Sequence, residues 1–156
     1  DVPLLYWCGA SWVAALTVDK SNLQVMSELP MGVSMVQRVL ELDESFDEGS
    51  AHEFFVSYDG GRSEAMGGSE KNAREHFERA VELSKGEKCG PYISLATSVS
   101  VSKQDIKEYK SLLNQALAID VNKNPVNKLA NIILQRTAKW LLDNIDIYFF
   151  EGEKEE

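Results

Sequence analysis

Two histidines are the residues in this chain best suited to acid–base chemistry, because an imidazole titrates near neutral pH. Neither has a second histidine four residues further on, the spacing by which one helix presents two zinc ligands. His76 follows Glu75 in a highly charged segment, and we expect it on the surface. His52 has two interpretations: a buried imidazole hydrogen-bonded to a nearby turn, or a polar contact in an apolar cavity.

The cysteines and glycines add no catalytic or metal-binding motif. Cys8 and Cys89 are far apart in the sequence, and we interpret both as small buried apolar residues. The pairs Gly60-Gly61 and Gly67-Gly68 predict turns, since no phosphate-loop lysine follows either pair. A Gly-x-Ser-x-Gly nucleophile elbow is also missing from the sequence. We therefore predict a protein that is not an enzyme and that needs no cofactor and no metal.

The composition is that of a globular chain with an acidic first half. Of its 156 residues, 44% are hydrophobic and 26% are charged, and the net charge is −9. Residues 1–60 contain 10 acidic and 2 basic residues, a balance of −8. Such a surface is a poor partner for nucleic acid or for an anionic membrane. Residues 2–18 carry no charge, but a proline, a glycine and two tryptophans interrupt them. We predict a helix buried within protein there, and no transmembrane segment.

Helical periodicity runs through the chain, and no segment of useful length shows the period of two that marks a strand. Prolines suited to a first helical turn and capping serines divide the pattern into helices. The predicted helices begin near Pro3, Pro30, Ser50, Ser69, Pro91, Ser102 and Pro125. They end near Val18, Leu42, Tyr58, Gly86, Val99, Ile119 and Phe149.

The same pattern of large and small apolar side chains recurs at residues 36–43, 77–84 and 113–120, at spacings of 41 and 36 residues. A bulkier helix precedes each copy, which indicates stacked helical hairpins. Residues 115–120, followed by Asn124-Pro125, are similar to the end of a tetratricopeptide repeat. The predicted fold class is therefore all-α: a right-handed α-solenoid of degenerate tetratricopeptide-like helical hairpins.

We predict one such domain over residues 1–150 and an acidic tail over 151–156. A solenoid normally ends in a polar capping face, whereas this chain begins with its most apolar helix. We therefore expect the domain to be the C-terminal part of a longer array. Its further helices, or another subunit, would cover residues 2–18.

The first helix of each predicted hairpin carries aromatic side chains that are suited to the wall of an apolar groove. Such a wall with a few polar groups fits a small ligand or a peptide, whereas the alternative for each aromatic is packing between hairpins. Asn131 and Gln135 share one face of the last helix. They either hydrogen-bond across the groove or satisfy buried backbone at the end of the solenoid. The predicted cavity-lining residues are Trp7, Trp12, His52, Phe55, Tyr58, Tyr92, Asn131 and Gln135.

A set of landmark residues extends over almost the whole chain. It comprises Tyr6-Trp7 with Gly9 and Trp12, Leu29-Pro30, residues 38–46, Gly49-x-x-His52, Gly67-Gly68, Leu129-Ala130-Asn131 and Ala138-x-Trp140-Leu141-Leu142. In these residues the chain resembles the T-component family of TRAP transporters, the TatT proteins, which are associated with tripartite ATP-independent periplasmic transporters.

This resemblance implies a tetratricopeptide-like protein of the periplasm whose partner is the solute-binding P-component of the transporter. It also implies a homotrimer with a hydrophobic cavity or pore through each protomer. Members of the family usually carry a leader, a lipid-anchoring cysteine and further helices before the Tyr-Trp segment. Because this sequence contains none of these, we expect any membrane anchor to be an N-terminal lipid outside this chain.

The function that these expectations predict is a non-catalytic accessory binding protein of a TRAP-type solute transporter. It would dock the solute-binding component and hold or pass a small apolar ligand or an amphipathic carboxylate. The alternative is a generic tetratricopeptide scaffold that binds a peptide segment of another protein. The acidic excess is either a solvated surface or the docking surface for the solute-binding component. The predicted docking residues are Glu41, Asp43, Glu44, Asp47 and Glu48.

Overall fold

The computed structural model of the chain describes residues 1–16, 18 and 26–149. These residues form seven α-helices and no strand, which confirms the all-α prediction. The helices are α1 (Val2–Leu16), α2 (Leu29–Asp43), α3 (Ser50–Gly60), α4 (Glu70–Leu83), α5 (Gly90–Leu95), α6 (Ile106–Ala118) and α7 (Lys128–Asp143). Short 3-10 turns occupy Phe46–Glu48, Glu64–Met66 and Ile145–Ile147, and α5 continues into a π-helical turn, Ala96–Ser100. The predicted acidic tail lies outside the described residues.

Local sequence signals define most helix starts. Pro30 and Pro91 each lie in the first turn of a helix, where the missing N–H of proline leaves no hydrogen bond unmade. Ser69 caps α4, because its hydroxyl accepts a hydrogen bond of 3.2 Å from the backbone N–H of Asn72. These three starts confirm the predictions made from the sequence.

Three predicted boundaries are wrong. The helix α7 begins at Lys128 and not near Pro125, which lies in the turn before it. The helix α6 begins at Ile106 and not near Ser102, because the carboxylate of Asp105 caps it by accepting a 2.9 Å hydrogen bond from the backbone N–H of Glu108. An aspartate at this position also interacts favourably with the positive end of the helix dipole. The helix α7 ends at Asp143 and does not reach Phe149.

Helices that follow one another in the chain pack together as hairpins: α1 with α2, α3 with α4, and α5 with α6. The helix α7 packs on α6 and also contacts α5. This order of packing is what a repeated helical hairpin requires. The right-handed tetratricopeptide solenoid itself remains a prediction.

Two glycines set the close crossing of α1 and α2. A methyl group added at Gly9 would lie 2.7 Å from the carbonyl oxygen of Gly32. One added at Gly32 would lie 2.8 Å from a methyl carbon of Val13. The two backbones therefore approach more closely than any residue with a β-carbon would allow.

The hairpins enclose two apolar cores. The first joins α2 and α3 through Val36, Val39, Ala51 and Phe55. The second joins the later helices, and its members are Val56, Ala73, Cys89, Ile93, Leu95, Ala96, Val99, Tyr109, Leu112, Leu113, Ala116, Ala138 and Leu141. Burying each of the larger aliphatic side chains contributes about 2 kcal/mol.

The two cysteines differ in environment. Cys89 is fully buried, its thiol donates a hydrogen bond to the carbonyl oxygen of Ala116, and burial raises its pKa to about 11. Cys8 is exposed, so the prediction that both cysteines are buried is wrong for this one. The reason is its position on the outer face of α1, beside Leu4 and Trp7, whose exposed fractions are 62% and 60%. Within the described residues, none of the helices combines the length and apolar character needed to span a membrane.

Candidate functional site

An apolar cleft of about 590 Å³ lies between α1, α3 and the loop that follows α3. This volume is in the range of small-molecule sites in proteins, roughly 300–1,000 Å³. Most of the α3 residues in the wall recur at helical spacing, so a single face of that helix is turned to the cleft. The described wall residues are Tyr6, Val13, Met26, Leu29, Glu53, Phe54, Ser57, Tyr58, Gly61, Arg62, Ser63, Met66 and Ser94.

The guanidinium group of Arg62 holds the loop of the cleft onto α3. It lies over the ring of Tyr58, 3.6 Å from the ring centre. Its N–H groups donate to the carbonyl oxygens of Tyr58, Met66 and Gly67 at 2.9, 3.1 and 3.1 Å. A further N–H group donates to the carboxylate of Asp59 at 3.3 Å. Most of the donor capacity of Arg62 is therefore used within the protein.

Glu53 is an acidic residue in this largely apolar wall. It is partly buried, and its carboxylate lies so close to Gly90 that an added methyl group at Gly90 would overlap it. Burial raises the pKa of Glu53, although the nearby ammonium group of Lys88 acts in the opposite direction. That ammonium donates to the carbonyl oxygen of Asp47 at 2.9 Å and to the hydroxyl of Ser50 at 2.8 Å.

The structure places the predicted aromatic residues at different positions. Tyr58 lies in the wall of the cleft, whereas Phe55 is 4% exposed and belongs to the core between α2 and α3. Trp7 is on the outer face of α1, and the indole N–H of Trp12 donates to Glu28 at 3.2 Å. Tyr92 packs edge-on against a neighbouring phenylalanine. Packing, rather than one shared cavity, accounts for most of this set.

The amides of Asn131 and Gln135 bind backbone groups. Asn131 is 2% exposed; its oxygen accepts from the N–H of Cys89 at 2.9 Å, and its NH₂ donates to the carbonyl oxygen of Glu87 at 2.7 Å. The NH₂ of Gln135 lies 2.8 Å from the carbonyl oxygen of Ile119 and within 3.2 Å of two more carbonyl oxygens at the end of α6. Both side chains therefore satisfy backbone at the junctions with α7, which corresponds to the second of the two interpretations.

His52 and His76 meet between α3 and α4. Their Nδ1 atoms are 2.8 Å apart, and Nε2 of His52 is 3.3 Å from the carboxylate of Glu44. The ring of His76 also stacks on Phe55, with 5.1 Å between ring centres. The expectation of a surface His76 is therefore wrong. It is partly buried, because it lies on the face of α4 that packs against α3 rather than on the charged face of Glu75.

Burial lowers the pKa of both histidines, and Glu44 opposes this effect at His52. Only one proton fits between two Nδ1 atoms in contact. Both contacts are satisfied when His52 donates from Nε2 to Glu44 and accepts at Nδ1 from His76. Among the residues that the structure describes, no group of three or more His, Cys, Asp and Glu could hold a metal ion.

The acidic residues predicted for docking fall into two groups. Glu41 and Asp43 are exposed near the end of α2, and their contacts are local, with Arg38 and Ser45. The other three make contacts far along the chain: Glu44 with Arg79, Asp47 with Lys88, and Glu48 with Asn124 and Asn127.

Two members of the second group lie in a strained turn. Asp47 and Glu48 have φ values of 46° and 53°, in the left-handed region that disfavours residues with a β-carbon. Gly49 follows at 86°, where its missing β-carbon removes the strain. The long-range contacts of these carboxylates therefore hold the turn in place as well as carrying charge.

Glu53, Arg62 and most of the apolar cleft wall are not among the site residues predicted from the sequence. The available signal for Glu53 was a carboxylate directly before Phe54 and Phe55 in a predicted helix, where a charge near the apolar face is unusual. No local signal indicated Arg62, because its partners belong to a loop whose path depends on the fold.

Comparison with known proteins gives two matches. The model of a family described as the TRAP transporter T-component matches residues 1–149. The chain is also 26% identical over 151 residues to an uncharacterized protein of Treponema pallidum (strain Nichols). That match covers 97% of this chain and 47% of the relative, so the chain spans about half the length of the relative.

Proposed function

Because the chain belongs to the TRAP transporter T-component family, we propose that it is a non-catalytic accessory binding protein of a TRAP-type transporter. It acts in the periplasm and docks the solute-binding component of the transporter. The observation that carries this proposal is the family match over residues 1–149, almost the whole chain. The family supplies the transport context, and the described surface and cleft supply the contacts that can be tested.

The proposed docking surface is the acidic end of α2 and the turn after it. Glu41 and Asp43 are exposed, and among the described residues they make no long-range contact that their replacement would break. Their charges are therefore available to attract a basic patch on the partner. Exposed charges of this kind affect both the rate and the specificity of association.

The double charge reversal Glu41→Lys with Asp43→Lys tests this surface. We expect the affinity for the solute-binding component, measured by calorimetry, to fall about tenfold, which corresponds to about 1.4 kcal/mol for the two sites. The matched control reverses Asp143 and Asp146, which are exposed at the other end of the chain. Unchanged affinity in the first variant would refute this surface. Failure of the unmodified protein to bind any solute-binding component would refute the docking function.

We also propose that the cleft holds a small apolar ligand. Its volume and its largely apolar wall, which includes Phe54, Tyr58 and Leu29, support this role. The neutral probe N-phenyl-1-naphthylamine should bind to the unmodified protein with a rise in fluorescence. Ser57→Trp should abolish the binding, because Ser57 lines the cleft and an indole would fill it. Ser111→Trp, at an exposed serine of α6, is the control; equal binding in both variants would exclude the cleft as the site.

The homotrimer, the lipid anchor and the tetratricopeptide solenoid that the resemblance implies belong to the same proposal. Light scattering should give three times the chain mass of 17.4 kDa. The generic peptide-binding scaffold receives less support, because the amides of Asn127 and Asn131 are bound to Glu48 and to backbone and are not free to grip a peptide.

A further inference from the structure

We infer that the apolar cleft selects ligands whose polar end is an amine and rejects carboxylates. Glu53 is the residue whose negative charge makes this selection. The inference rests on the proposed ligand-holding role of the cleft and specifies the ligand class. An amine differs from the amphipathic carboxylate predicted from the sequence.

The first support is that the Glu53 carboxylate remains open to a hydrogen-bond donor. Glu53 shares the cleft-lining face of α3 with Phe54 and Ser57. Its backbone N–H donates to Gly49, but within the described part of the chain no side-chain hydrogen bond engages its carboxylate. The described residues include no buried side-chain oxygen that lacks a hydrogen-bond partner, so the carboxylate oxygens of Glu53 remain accessible to solvent and to a ligand. An ammonium group in the cleft would supply both the donors and the opposite charge.

The second support is that the neighbouring cations are already engaged. Lys88 directs its ammonium at the carbonyl oxygen and carboxylate of Asp47 and at the hydroxyl of Ser50, so it acts on Glu53 only through space. Arg62 is bound to the loop and to Asp59. Within the described residues, an entering carboxylate would therefore meet the negative charge of Glu53 without a free cation to offset it.

The rest of the wall accommodates the hydrocarbon part of such a ligand. Val13 of α1, Met26 and Leu29 contribute apolar wall, as do Phe54 and Tyr58 of α3. A chain of eight carbons fits easily within about 590 Å³. Burial of this chain provides affinity that does not depend on charge, and the polar end then decides between ligands of equal length.

The test compares three probes of equal chain length by calorimetry at pH 7.5: octylamine, octanol and octanoate. We expect octylamine to bind at least about tenfold more tightly than octanoate, with octanol between them. Glu53→Gln, which keeps the shape of the side chain and removes its charge, should bring octylamine and octanol within about threefold of each other. Ser57→Trp, which fills the cleft, should weaken all three.

Octanoate binding as tightly as octylamine to the unmodified protein would overturn the inference, and this comparison does not depend on any variant folding. An unchanged amine preference in Glu53→Gln would overturn it as well. Binding of octanol without an amine preference would leave the ligand-holding role intact and refute only the ligand class. Binding of none of the three would refute both.

Discussion

Replacement of Asn131 by alanine should destabilise the fold strongly, because its amide joins α7 to the segment that leads into α5. The side chain is 2% exposed and makes two hydrogen bonds to backbone more than 40 residues away, to the N–H of Cys89 at 2.9 Å and to the carbonyl oxygen of Glu87 at 2.7 Å. Alanine would remove the acceptor and the donor of these two hydrogen bonds at once.

The magnitude follows from the burial of the two backbone groups. Cys89 is fully buried, and a buried N–H left without a partner costs about 1–3 kcal/mol. Glu87 is partly exposed, so water can replace the lost donor and the loss there is about 0.5–1.5 kcal/mol. Together they lower the free energy of unfolding by about 3 kcal/mol. With a urea m value of about 2 kcal/mol/M, the midpoint should fall by about 1.5 M.

Urea denaturation followed by circular dichroism measures this change. The matched control is Asn114→Ala, which removes the same amide from an exposed position on α6 and should change stability by less than about 0.5 kcal/mol. A midpoint shift below about 0.5 M for Asn131→Ala, with an unchanged m value, would refute the reasoning. It would mean that water reaches Cys89 and replaces the amide.

Three further predictions concern the histidine pair, the helix crossing and the contact between Glu53 and Gly90. Because the folded pKa values of His52 and His76 lie below their ordinary value of about 6.5, the unfolded chain binds more protons in acid. Their contribution to stability is therefore full above about pH 6.5 and is lost as the pH falls below it. The urea midpoints at pH 7.5 and pH 5.5 should differ less in His76→Gln than in the unmodified protein. An equal difference in the two proteins would contradict this prediction. Gly9→Ala should lower the melting temperature, because a clash with the Gly32 carbonyl costs about 1–3 kcal/mol and outweighs a gain in helix propensity of about 1 kcal/mol. The control Ser11→Ala, on the same helix, should not lower the melting temperature. Gly90→Ala should destabilise the Glu53→Ala variant by about 1 kcal/mol less than it destabilises the unmodified protein. If the effects of the two substitutions on stability are additive, the carboxylate of Glu53 does not lie against Gly90.

The helices and their pairing could be predicted because their signals are local. Pro30, Pro91 and Ser69 act within one turn of the chain, where the needed donors and acceptors are a few residues apart. The recurring pattern of large and small side chains likewise predicts hairpins between successive helices. Where two local signals competed, as with Ser102 and Asp105, the stronger cap three residues later began the helix.

The candidate site could be predicted only in part, because a helical face is decided by what packs against it. Phe54 and Phe55 are neighbours in the sequence, but about 100° of helical rotation separates them, so one lines the cleft and the other lies in the core. His76 looks like a surface residue beside its charged neighbour, yet the hairpin turns it towards His52. Ala73 and Ala80, which stand three residues before and four residues after His76, are the sequence signal that was available for this buried face.

The amino-acid sequence was sufficient for the helical class, the order of the hairpins and the family resemblance, since these depend on short-range spacing and on motifs along the chain. The tertiary structure alone decided where the cleft lies, that no side chain of the described residues donates to Glu53 in its wall, and that Lys88 and Arg62 are engaged elsewhere. These properties arise from residues of different helices and loops brought together. Their burial and charge therefore exist only once the hairpins have packed.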